Sequence, residues 1–158
     1  MDVTIALAVH VLSIVLWIGG VAMVTTVLLP AARELKSAAE RVAFFAHVER
    51  RFAWQARGTT LLAGASGFYM VDRLELWSAF ERMEYWWLDA MVLVWLVFTV
   101  MLFVAEPLFL DRWFKTRARL APESTFALIQ RLHWLLLVLA LATVVGAVAG
   151  SHGLTFAD

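Results

Sequence analysis

Long apolar runs broken by short charged stretches organise this chain. From Val3 to Ala32 there is no Asp, Glu, Lys or Arg, and three further runs follow at about Phe52–Val71, Tyr85–Ala105 and Leu128–Ala149. Pro30 ends the first, about Val3–Leu29, while Glu106-Pro107 closes the third and Gly150 and Gly153 end the fourth. Each run reaches the roughly 20 residues that a helix needs to cross a bilayer. The pattern predicts an all-α integral membrane protein. Its single domain, residues 1–158, is an antiparallel bundle of four transmembrane helices joined by short connections.

Composition strengthens that reading. The 158 residues are 63% hydrophobic and only 16% charged, with a mean hydropathy of +0.80; soluble domains carry about 25% charged residues. No cleavable signal peptide is expected, because Met1-Asp2 lacks a basic segment and the first apolar run is too long. Formal charge is zero, but its distribution is steep. Eleven of the thirteen basic residues fall between runs one and two, between runs three and four, or just inside the following run, leaving Arg73 and Arg82 on the opposite side. The positive-inside rule then puts both termini outside, periplasmic for a multi-pass protein of a bacterial inner membrane. Anionic lipid and topology account for the basic face, so nucleic acid is not an expected partner.

Tryptophans at the boundaries agree with these limits, but Trp17 and Trp95 fall mid-membrane, where an interfacial belt does not explain them. The amphipathic segment Ala31–Ala46 is expected to extend the first helix beyond the bilayer on the cytoplasmic side, and Pro122 or Ser124 to open the last one. No internal repeat stands out.

Candidate chemistry centres on His10, an ionisable group at membrane depth. Ser13, Trp17, Gly20 and Val24 follow it at spacings of three and four, a stripe that turns toward neighbouring helices. Absence of cysteine removes disulfides, thiolate metal sites and iron–sulfur clusters. His10 and His152 share the outer side, His47 and His133 the inner. Two histidines on each side suit axial ligation of b-type haem by neutral imidazole. Each pair differs in depth by roughly 10 Å, and the glycines beside His152 give the outer pair more latitude. Arg57 and Arg131 could meet haem propionates, or form a structural ion pair with Glu106 that closes the inner end of the bundle. Asp89 could orient an outer histidine. Gly19-Gly20 beside Trp17 could admit a flat ligand or a neighbouring helix. The scattered methionines make a weak soft-metal set, although a mixed copper site of His10 and His152 with a methionine is compatible with their depth. Phosphate loops, nucleophile–base pairs and paired catalytic carboxylates are lacking.

Val9-His10-Val11-Leu12, Trp17-Ile18-Gly19-Gly20 and Leu29-Pro30-Ala31 resemble the opening helix of copper-resistance D (CopD-like) membrane proteins. Arg50-Arg51-Phe52 and the two histidine-bearing ends of run four fit the same style. The resemblance covers most of the chain, with His10, Trp17 and Gly20 its most specific residues, and implies copper transport or resistance. A more distant resemblance, through the first-run histidine, Trp and Gly, is to the HemJ-type membrane protoporphyrinogen oxidase, and implies that His10 ligates haem. The histidine and lysine expected in run three of that family are absent from Leu88-Asp89-Ala90-Met91. Three functions stay open: a haem-b protein exchanging electrons with quinone or another redox partner, a copper transporter, and a structural subunit of a larger complex or homo-oligomer.

Overall fold

A computed structural model describes residues 2–153, with the side chain of Asp111 left out of the description. Every element among them is helical. Helix α1 covers Val3–Glu34, including a π-helical segment at Val24–Leu28. Helix α2 covers Ala38–Arg73. Two short 3₁₀ turns, Leu76–Glu81 and Met83–Tyr85, lead into α3, Trp86–Val100, which runs on through a second π segment, Met101–Leu110. Helix α4, Asp111–Leu120, and helix α5, Pro122–Ser151, complete the chain. Three helices, Val3–Glu34, Met83–Leu110 and Pro122–Ser151, are long and apolar enough to cross a membrane.

The expected extension of the first helix through Ala46 is replaced by a break. Helix α1 stops at Glu34, and Ser37 opens α2 with a capping box, its hydroxyl accepting from the Glu40 N–H while the Glu40 carboxylate accepts from the Ser37 N–H. That reciprocal cap satisfies two of the amide donors that a helix start leaves free. The chain therefore reverses within three residues, and α1 makes its most extensive contacts with α2. Helix α2 also packs on α3, α3 on α5, and α5 back on α1, so each long helix has two neighbours. Arg41 reinforces the basic end by pairing with Glu123 and donating from Nε to Leu35 O at 2.6 Å.

Small residues permit these approaches. A Cβ on Gly20 would fall 2.1 Å from Phe52 Cε2, one on Gly64 2.6 Å from the Trp95 ring, and one on Gly150 2.2 Å from Trp87 Cδ1. Trp95 is thus accounted for: its indole N–H donates to Thr60 O at 2.9 Å, tying α3 to α2. The outward surface is apolar, with Leu12, Val15, Leu93, Leu135 and Val145 all exposed.

The two π segments share one cause. At Val24–Leu28 the Leu29 N–H reaches Val24 O, five residues back. In that register the next donor should be residue 30, but Pro30 has no N–H, so Thr25 O is left without a helical partner. The Gln130 side-chain amide on α5 supplies one at 2.6 Å. In the second segment the donor owed to Leu102 O would come from Pro107, and Arg57 Nε on α2 donates instead at 3.1 Å. Arg57 also pairs with Glu106, so of the two arginines weighed as its partner Arg57 takes the role and Arg131 stays exposed. Each proline therefore frees a carbonyl on one helix that a polar side chain of the next helix meets.

Gln130→Leu is expected to lower stability by about 1 kcal/mol. Placing the same change in a Pro30→Ala background, where the helix can recover its own donor, should shrink that cost. Thermal unfolding of the four variants in detergent measures the coupling; equal costs in both backgrounds would refute the exchange.

Candidate functional site

The predicted inward stripe of α1 is largely realised. Ser13 and Trp17 keep 4% and 5% of their surface, and Val24 is fully buried. His10 is half-buried and donates from Nδ1 to Ala63 O on α2 at 2.8 Å, with Ser66 Oγ 3.2 Å away. Since a carbonyl only accepts, the proton sits on Nδ1 and the lone pair on Nε2. Gly67 makes room for the ring, its hypothetical Cβ lying 3.0 Å from His10 Cε1.

The other histidines are distributed around the molecule. His133 repeats the same tautomer, donating from Nδ1 to Ile129 O at 3.0 Å within its own helix. His152 is exposed at the end of α5, with Nδ1 2.8 Å from Val148 O. His47 is exposed on α2, as are Arg131 on α5 and Asp89 on α3. His10 and His152 hydrogen-bond separate elements, so the structure does not join them by a direct bond. Asp89, an expected orienting carboxylate, is in none of the hydrogen bonds made by His10. Of Gly19-Gly20, weighed as an opening for a flat ligand, Gly20 is filled by the Phe52 ring and Gly19 faces open space. Among the described residues, no three His, Asp or Glu side chains gather to hold a metal ion.

What the structure does bring together is a cavity of about 180 Å³ between the mid-helix core and the basic end. Trp17, Phe45, Phe52, Phe98 and Met101 form much of its wall, and His133, Glu49 and Glu106 supply polar edges. Val24 and residues 101, 102, 106 and 110 bring both π segments to the same wall. π-Bulges recur at functional sites because they widen the helix and redirect its side chains. Two groups at this cavity carry uncommitted hydrogen-bonding capacity. Trp17 Nε1 is buried without an acceptor, and the His133 tautomer leaves Nε2 with a free lone pair. Sequence reasoning named both residues, Trp17 at mid-membrane and His133 on the inner side, but did not bring them to one site. The missed signal was the pairing of Pro30 and Pro107 with Gln130 and Arg57, polar residues on the neighbouring helices.

Volume limits what can enter. A cavity of about 150 Å³ accommodates a single benzene ring. The 180 Å³ here is of that order, and a porphyrin is several times larger. No protein-family model matches the chain, and comparison with curated proteins and with solved structures finds no match.

Gly20→Ala is expected to push Phe52 out of place and cost about 1–3 kcal/mol, whereas Gly19→Ala, facing open space, should be harmless. Comparing their melting temperatures with that of the unmodified protein checks the assignment.

Proposed function

We propose that the chain is a four-span bundle of a bacterial inner membrane, both termini periplasmic, that binds haem b through neutral histidine with His10 as first ligand. One observation carries the reading: His10 holds its Nδ1 proton on a backbone carbonyl, 2.8 Å from Ala63 O. That bond fixes the ring and leaves Nε2 as a lone-pair donor, the arrangement typical of metal-bound imidazole. His152 presents the same tautomer at the same expected face. In this reading His10 and His152 would hold the haem through their imidazoles, and the small inner cavity is a separate feature. Electron exchange with quinone or another membrane redox partner is the activity such a module would serve.

The bundle and its orientation rest on the steep basic asymmetry and on the packing of α2 among the three apolar helices. Copper handling, the function implied by the likeness to CopD-like proteins, is the second reading. Met101 and His133 favour it by lining one cavity, offering a thioether and an imidazole.

Purified protein should show a Soret band and sharp α bands on reduction, and His10→Ala should abolish or strongly reduce them. Colourless protein carrying stoichiometric copper would replace haem with the second reading; colourless, metal-free protein would leave His10 as a helix-pinning residue. Topology is checked separately, because the natural chain has no cysteine. A single Cys replacing Ser151 should react with an impermeant maleimide from the periplasmic side of cells, and one replacing Lys115 should not.

A further inference from the structure

We infer that the cavity between Trp17 and His133 is a binding site for a single hydroxylated aromatic ring, the head of a lipid-soluble hydroquinone. This deepens the membrane reading above and rests on it, but it is independent of whether haem is present. Three observations converge. The first is size: about 180 Å³ holds one ring with small substituents. The second is the wall, made of aromatic and aliphatic side chains that favour a flat apolar body; Trp17 and Phe98 meet edge to face at 4.8 Å between ring centroids.

The third is polar complementarity. Trp17 Nε1 is a donor, buried in a residue only 5% exposed and lacking an acceptor. His133 Nε2 is an acceptor, because Nδ1 spends its proton on Ile129 O. A hydroquinone matches both groups. One hydroxyl oxygen accepts from Trp17, and a hydroxyl hydrogen is donated to His133. The oxidised quinone has only acceptors, so it would satisfy Trp17 and leave His133 Nε2 unmatched. The site therefore prefers the reduced form.

An entrance for the lipid tail is also present. The π segment Met101–Leu110 packs on α2 but hardly on α5. The lining residues Leu132 on α5 and Trp113 on α4 reach the surface, 47% and 37% exposed. Two apolar side chains at the rim suit a hydrocarbon tail entering sideways from lipid, with the ring inside.

The test uses full-length protein in lipid nanodiscs and a decyl-substituted benzohydroquinone, titrated calorimetrically under reducing conditions. Saturable one-to-one binding is expected, with the matching benzoquinone weaker by roughly five- to tenfold, the worth of one hydrogen bond. Trp17→Phe should weaken the hydroquinone by a similar factor. Ala53→Leu, which fills the cavity from α2, should abolish binding while its thermal melt shows that the variant is folded; Ala56→Leu serves if it is not. Absence of binding to the unmodified protein, or binding unchanged by Trp17→Phe and cavity filling, overturns the assignment. The Soret spectrum of the same samples reports on haem separately, so failure of one reading is visible apart from the other.

Discussion

Two carbonyls decide how this molecule is assembled. Thr25 O and Leu102 O lose their helical donors to Pro30 and Pro107, and in apolar surroundings no water replaces them. An unmet buried carbonyl costs about 1–3 kcal/mol, so each must find a donor on a neighbouring helix. Gln130 answers the first and Arg57 the second. The exchange is reciprocal: α5 braces α1, and α2 braces α3. It fixes the relative depth of helices whose apolar surfaces alone would slide freely, because lipid tails compete with side chains on equal terms.

The same constraint shapes the cavity. A π register accommodates an extra residue per turn and bends the helix away from its neighbours. Both π segments border one space, and the helices draw together again on either side of it. Below lies the Phe45, Phe114 and Phe126 cluster; above lie Trp17, Val21, Phe98 and Leu137. A void inside a close-packed interior, with Trp17 and His133, the bearers of an unpaired indole N–H and a free imidazole nitrogen, among its lining residues, has the makings of a ligand site.

The all-helical class and three of the long apolar helices were legible in the sequence, because apolar length is a coarse signal that survives any detail of packing. The inward stripe of α1 was legible too, since Ser13, Trp17 and Val24 follow helical spacing and are buried. Helix limits were less so. The capping box at Ser37 and Glu40 broke an amphipathic stretch that periodicity alone carried through Ala46. The candidate site was read only in part. Histidine positions were plain, but their partners are backbone carbonyls of Ala63, Ile129 and Val148, which every residue possesses and no pattern marks. An arginine pair to Glu106 was visible because charges are rare in apolar runs, but the choice of Arg57 over Arg131 was not. Its second role, feeding Leu102 O, required knowing that the register had shifted before Pro107.

The proline-driven exchange can be observed directly in a bilayer. The chain has two glutamines, Gln55 and Gln130, so a Gln55→Ala protein labelled with side-chain amide ¹⁵N carries one such probe. Solid-state dipolar recoupling to ¹³C-labelled threonine carbonyls should show strong dephasing from Thr25, whose oxygen lies 2.6 Å from Gln130 Nε2, and Thr25→Val should remove it. A Gln130 amide coupled to no threonine carbonyl would contradict the claim that this helix depends on its neighbour for the bond that Pro30 cannot make.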